Sequence, residues 1–305
     1  MYSIIDTHCD TAEKMLDNDI GLNNETCMLS LGDMNYFESY IQVFAAWVSK
    51  GEKNPKTRAI NILTKAKEEF KKNNLKLILN LDELESVKTH GGILALEDAR
   101  SLEGDINNLQ EFYDFGVRCI ALAWNDDNDV ISGANTKNDT GLTYFGRQVV
   151  SEMNRLNMII DVSHASQKSF WDILEVSDSP VLASHSNCCS QCRHVRNLKD
   201  DQIKALIRCG GVMGINIAPF FLEENEHKAT IKSVIRHIDH ALSLGAENNL
   251  CFGSDFDGID STPNGFNSAK DYIKLIDAMK KENYPEELID KITHKNFIKF
   301  SKKFT

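Results

Sequence analysis

Six ionisable residues stand at the ends of five separate apolar runs. His8 and Asp10 close the stretch "IIDTHCDT", Glu97 ends "GILALE", His164 follows "MIIDVS", His185 follows "PVLAS", and Asp255 ends "LCFGSD". Burying such groups costs several kcal/mol each unless they are paired or bind a metal. Three imidazoles with three carboxylates form a nitrogen and oxygen donor set suited to zinc or manganese. A glutamate shared between two ions would make the site binuclear, and such a pair can hold a bridging hydroxide and polarise a carbonyl. On a strand, the spacing of two turns His8 and Asp10 to one face and Cys9 to the other. Asp6 is expected on that same face, deeper, as a partner that orients a ligand.

Each residue taken alone has a plainer explanation. His8 could be a hydrogen-bonded core histidine, and Glu97 could pair with Arg100. His164 and His185 could flank the starts of helices, and Asp255 could belong to a turn. Their joint occurrence at the same end of different strands favours a metal site.

The elements that must position them are legible as an alternation. Apolar, β-prone runs lie at 3–8, 41–48, 75–80, 92–97, 117–124, 158–163, 180–184, 211–216 and 250–255. Segments 55–73, 142–157, 199–209 and 229–245 carry apolar residues at helical spacing, the last ending in Gly245 as a C-cap. Near-continuous apolar strands alternating with helices imply parallel strands buried on both faces. Eight or nine such units favour a closed (β/α)8 barrel over an open sheet, because only a closed sheet brings the ends of many strands to one mouth. A single domain, 1–305, is expected.

The composition narrows the partners. Forty-five acidic against 34 basic residues give a net charge of −11, which argues against nucleic acid and anionic membranes. Residues 1 to 20 carry Asp6, Asp10, Glu13, Lys14, Asp17 and Asp19, so no secretory signal is read there. No apolar stretch is long enough for a transmembrane helix. Eight cysteines without a signal read as reduced thiols, and the expected location is the cytoplasm.

Other motifs are weaker. Cys188, Cys189, Cys192 and His194 in "CCSQCRH" resemble a zinc knuckle but lack a second cysteine pair, so a loop of reduced thiols is favoured. His237 and His240 are expected to pack on a helix face, and "DDND" at 126–129 to form a solvated loop. No dinucleotide-binding glycine motif, P-loop or serine-hydrolase elbow is present.

The segments "DTHCDT", "LALEDARSLEGD", "GLTYFGRQVVSEMNRLNMIIDVSHAS", "PVLASHSN", "RHVRNLKDDQI" and "FGSDFDG" occur in order along nearly the whole chain. Together they resemble the membrane (renal-type) dipeptidases, peptidase family M19. The resemblance implies a (β/α)8 barrel of the metal-dependent hydrolase superfamily, a two-zinc centre, a dipeptide substrate and a homodimer. By position it implies that His8, Asp10 and Glu97 hold one zinc, and that Glu97, His164 and His185 hold the other, with Glu97 bridging. Asp255 occupies the acid/base position, and Arg196 matches the arginine that receives the substrate's terminal carboxylate.

Two positions depart from the family pattern. Trp124 stands where mammalian members carry a histidine that contacts substrate, with Asn125 a stand-in donor for the missing hydrogen bond. "NIAPFF" offers Phe220 and Phe221 in place of a pocket tyrosine. Two alternatives stay open beside the dipeptidase reading. One is a hydrolase of N-acyl amino acids, cyclic amides or lactones; the other is a barrel that binds metal without catalysis.

Overall fold

The computed structural model describes residues 1–305. Nine parallel strands run in the order β1 (Ser3–Cys9), β2 (Ser39–Trp47), β3 (Lys76–Leu77), β4 (Gly91–Glu97), β5 (Val117–Ala121), β6 (Ile159–Asp161), β7 (Leu182–Ser186), β8 (Val212–Ile215) and β9 (Leu250–Phe252). β1 pairs with β2 and β9, the neighbours continue back through the series to β4, and β4 pairs with β2. Eight strands thus close into a (β/α)8 barrel. β3 stays outside the ring: Lys76 and Leu77 pair with Gly91 and Gly92 on the edge of β4 that β5 takes over from Leu94 onward. The run 75–80, expected as a full strand, stops early for a local reason. Asn80 accepts the Asp82 N–H at 3.1 Å and starts a 3-10 turn over Leu81–Glu85.

The strand pleat sorts side chains between two apolar layers. Ile41, Val43 and Ala45 of β2 join Ile93 and Ala95 of β4 in an inner cluster of 18 buried residues. Tyr40, Phe44, Leu94 and Leu96 face outward into a shell of 72 under the helices. That alternation leaves Glu97 in phase with Ile93 and Ala95, so the strand itself aims the carboxylate inward. The bottom of the barrel is filled by Phe297 and Phe300 of the last helix (Asn296–Ser301) and by Phe304 just after it, members of the same inner cluster. The inner space is therefore apolar at its floor and ionisable at its mouth.

β1 breaks the alternation. Asp6 pairs with Gln42 and Cys9 with Phe44, so three residues of β1 span two of β2. This one-residue bulge lets Thr7 and His8 both face inward. Thr7 Oγ1 donates across the interior to the Ser184 carbonyl at 2.5 Å, while Cys9 joins the outer shell. Asp6 faces outward, its Oδ2 accepting the Tyr272 hydroxyl at 2.7 Å. The expectation that Asp6 shares a face with His8 fails because the bulge shifts the phase between them. No helix is long and apolar enough to cross a membrane.

Phe297, fully buried against Phe300 at a ring separation of 5.8 Å, anchors the floor. Phe297→Ala is expected to lower unfolding free energy by about 3–5 kcal/mol, measured by urea denaturation.

Candidate active site

The six ionisable residues meet at the mouth of the barrel. Glu97 is 3% exposed and presents its two oxygens to different partners. Oε2 lies 3.2 Å from His8 Nε2, and Oε1 lies 2.8 Å from His164 Nε2 and 3.6 Å from His185 Nε2. Asp10 Oδ2 approaches His8 Nε2 to 3.4 Å from the other side. Three overlapping donor sets result, His8–Asp10–Glu97, Glu97–His164–His185 and His8–His185–Asp255, each with its ligand atoms within 4.8 Å of one another. The first two are made of the five residues expected as metal ligands from the sequence, and the barrel brings all of them together. Arg100, weighed as a partner for Glu97, instead pairs with Asp98 at 2.7 Å.

The donor set fits a divalent cation on this structure's own features. His8 Nε2 and Asp10 Oδ1 are buried with no hydrogen-bond partner, and buried polar atoms are normally satisfied. His164 Nε2 and His185 Nε2 lie 2.8 Å apart. Their other ring nitrogens are already committed. His164 Nδ1 donates to Asn125 Oδ1 at 3.1 Å. His185 Nδ1 donates to Ser184 Oγ at 2.7 Å, and that hydroxyl donates in turn to Asp161 Oδ2. Both partners fix the tautomer that leaves the Nε2 lone pair facing the centre.

The electrostatics agree. Burial pushes the His164 pKa down to about 3, helped by the charge of Arg196. Burial and the positive charge of His8 hold His185 well below the usual imidazole value. Burial opposes protonation of His8 too, yet Glu97 and Asp10 outweigh it and hold its pKa well above normal. Burial alone would raise the Glu97 pKa, but the facing His8 and His164 hold it well below the usual carboxylate range. Asp10 is raised by burial and by the charge of Glu97. The mouth is a dense group of charges whose protons compete for one small volume, which is where a divalent cation binds best.

Asp255 and Arg196 flank this group. Asp255 sits at φ 67° just beyond β9, where its N–H donates to the His8 carbonyl at 3.2 Å. Its Oδ2 accepts Asn216 Nδ2 at 2.9 Å, and its Oδ1 lies 3.9 Å from His8 Nε2. Burial, reinforced by Glu97, raises its pKa. Arg196 is 5% exposed; its Nε donates to the Ser163 carbonyl at 2.9 Å and its Nη2 to His185 Nε2 at 3.0 Å. Burial lowers its pKa to about 10, so the guanidinium stays charged at neutral pH. A cavity of about 450 Å³ opens above these residues, with Trp47, Trp124, Asn125, Phe220 and Phe221 on its walls.

A family model described as membrane dipeptidase, peptidase family M19, matches residues 1–304. The chain belongs to the membrane dipeptidase family. It is 35% identical over 216 residues to an uncharacterized protein in the pqqA 5′ region of Klebsiella pneumoniae, covering 68% of this chain and 79% of that one. It is 32% identical over 241 residues to an uncharacterized dipeptidase of Schizosaccharomyces pombe, covering 76% of this chain and 58% of the relative. Among solved structures, a metallo peptidase from Rhodobacter sphaeroides, liganded with a phosphinate mimic of the dipeptide L-Ala-D-Ala, superposes with a TM-score of 0.91 at 25% identity. That match covers 100% of this chain and 99% of the other. The structure of the dipeptidase AC, of the same peptidase family, gives a TM-score of 0.91 at 26% identity, covering 99% of this chain and 98% of the other.

Several groups around the site were not singled out from the sequence. Asn216, Ser184, Asp161 and Asp98 act through neighbours that only the closed barrel brings close. His237 and His240 are not ligands: His237 Nδ1 accepts the Cys188 N–H at 3.0 Å, and His240 Nε2 lies 2.9 Å from Asp200 Oδ1. The thiols of Cys188 and Cys192 turn to separate backbone carbonyls, of His237 and Phe220. Trp124 packs edge-on against Trp47 at 5.2 Å and lies 6.2 Å from the His164 ring.

Gly258 is a further requirement of the site. A Cβ there would lie 2.2 Å from Asp10 Oδ2 and 2.5 Å from Asp255 Oδ1, so only glycine leaves both carboxylates in place. Gly258→Ala is expected to weaken divalent-metal binding by roughly 10–100-fold with the fold retained. Competition titration against a chelator, with circular dichroism as the fold control, measures this; unchanged affinity would show that the loop simply yields.

Proposed function

We propose that the protein is a zinc-dependent dipeptidase that hydrolyses the peptide bond of dipeptides carrying a free C-terminal carboxylate. The observation that carries this reading is Glu97 standing between two groups of ligand atoms, with a buried, charged Arg196 beside them. In this reading His8, Asp10 and Glu97 hold one ion, Glu97, His164 and His185 hold the other, and residues 1–305 work as one domain. A zinc pair bound there supplies Lewis acidity toward the scissile carbonyl and a low-pKa hydroxide as nucleophile.

Asp255 moves the proton. Asn216 fixes Oδ2, so Oδ1 is the atom left facing the ligand cluster. A carboxyl whose pKa is raised by burial is suited to accept the nucleophile's proton and pass it to the departing amine. Arg196 receives the substrate carboxylate in a charge-assisted pair. Its guanidinium is held by the Ser163 carbonyl and lies over the Phe221 ring at 5.4 Å, a fixed anchor that suits short substrates. In a chain of net charge −11, such an anchor is needed to hold an anionic substrate. The dipeptide mimic bound by the Rhodobacter sphaeroides relative supports this class, including dipeptides with a C-terminal D-residue.

The aromatic wall of Trp47, Trp124, Phe220 and Phe221 favours a second reading, hydrolysis of N-acyl amino acids. A panel of L-L and L-D dipeptides set against acylated amino acids separates the two.

Asp255→Asn is expected to lower kcat by about 10²–10⁴-fold while bound zinc, measured by metal analysis, stays unchanged. Near-normal turnover would remove Asp255 from the proton path. Arg196→Ala should lower kcat/KM by roughly 10–100-fold for dipeptides with a free carboxylate and spare their C-terminal amides. Equal damage to both substrates would overturn the clamp assignment.

A further inference from the structure

Directly after Glu97 the backbone takes a conformation that an L-residue rarely adopts. Asp98 has φ 100° and ψ 118°, outside the left-handed helical well that asparagine and aspartate tolerate. The residue is also fully buried. Strain of this kind persists only where the surroundings over-determine it, and here they do. Oδ1 accepts the Arg100 N–H at 2.7 Å and Asn128 Nδ2 at 2.6 Å. Oδ2 accepts Arg100 Nη2 at 2.7 Å and the Trp124 N–H at 3.1 Å.

These contacts run in two directions. Toward β4, the Asp98 N–H donates to the Ala121 carbonyl at 3.2 Å, the last rung before the chain turns sharply away. That turn decides where the Glu97 side chain stands. Toward the loop after β5, the carboxylate holds Trp124 by its backbone and Asn128 by its side chain. Asn128 then closes the loop on itself, donating to the Leu122 carbonyl at 2.8 Å and accepting the Val130 N–H at 2.8 Å. Between Trp124 and Asn128 lies Asn125, whose Oδ1 orients His164.

We propose that Asp98 is the positioning residue of this site: one buried carboxylate fixes both the Glu97 ligand and the wall formed by Trp124 and Asn125. The metal arm rests on the ligand cluster alone. The substrate arm rests on the dipeptidase reading above.

Two variants separate the arms. Glycine adopts φ near 100° without strain, so Asp98→Gly leaves the turn accessible but no longer held in place by the carboxylate. Its affinity for Zn2+ alone, by competition with a chromogenic chelator, is expected to fall about 10–100-fold. Tryptophan emission should become more accessible to acrylamide, and KM for a dipeptide should rise. Asn128→Ala cuts only the loop arm and leaves the Glu97 turn held: quenching and KM should change in the same sense, while zinc affinity falls less than in Asp98→Gly, through the Asn125–His164 contact alone. If the glycine variant does not fold by circular dichroism, Asp98→Asn carries the same readings, with one acceptor oxygen kept and an intermediate loss of zinc affinity. Wild-type zinc affinity in the Asp98 variant, or equal loss in both variants, overturns the proposal. If wild-type protein binds zinc but cleaves no dipeptide, the zinc and quenching results still decide the role of Asp98, and only the dipeptidase reading falls.

Discussion

The mouth of this barrel is organised around one buried carboxylate that must be neutralised from two sides at once. Removing a charge such as that of Glu97 from water costs several kcal/mol even after relaxation. The contact of Oε2 with the charged His8 is one local answer, and Oε1, which faces the Nε2 atoms of His164 and His185, is left for a bound cation. Of these imidazoles, His164 takes its orientation from Asn125 and His185 from the Ser184–Asp161 relay. The layers of polar groups beneath the mouth follow from this single demand, and a closed ring is the geometry that satisfies it from all directions.

How much of this was legible in the sequence depended on how local each signal is. His8, Asp10, Glu97, His164, His185 and Asp255 stood out because an ionisable residue ending an apolar run is anomalous within a few positions. The closed barrel followed from the same alternation, and the pairing of β4 with β2 closes the ring. Asp98, Asn216 and Ser184 carry no such local anomaly. Asn216 matters because Asp255, 39 positions later, lies beside it, and nothing in "GINIAP" announces that. The run at 75–80 was over-read because its apolar content concealed the turn that begins at Asn80. Asp6 was misplaced for a different reason: period-two reasoning assumes an unbroken strand, and a bulge leaves no mark in residue types. Even so, Asp6 does hold the site together, through the backbone N–H groups of His8 and Ser254, both taken by Oδ1.

The two ends of the barrel divide the work. The floor, closed by Phe297, Phe300 and Phe304, supplies dry packing and tolerates no charge. The mouth concentrates opposing charges in a poorly solvated volume, where electrostatic interactions are stronger than in water. Stability and chemistry are therefore drawn from different layers of the same eight strands, as in other barrels whose functional residues sit at the carboxyl ends.

The bulge in β1 has a consequence for change over time. A point substitution at Thr7 removes hydrogen bonds to the Ser184 and Phe252 carbonyls, whereas a one-residue deletion between Asp6 and Cys9 would restore regular pairing with β2 and leave one inward position where Thr7 and His8 now both stand. A designer who regularised the strand, following the usual preference for ideal geometry, would have to give up either the His8 donor or the Thr7 bond across the interior to the Ser184 carbonyl.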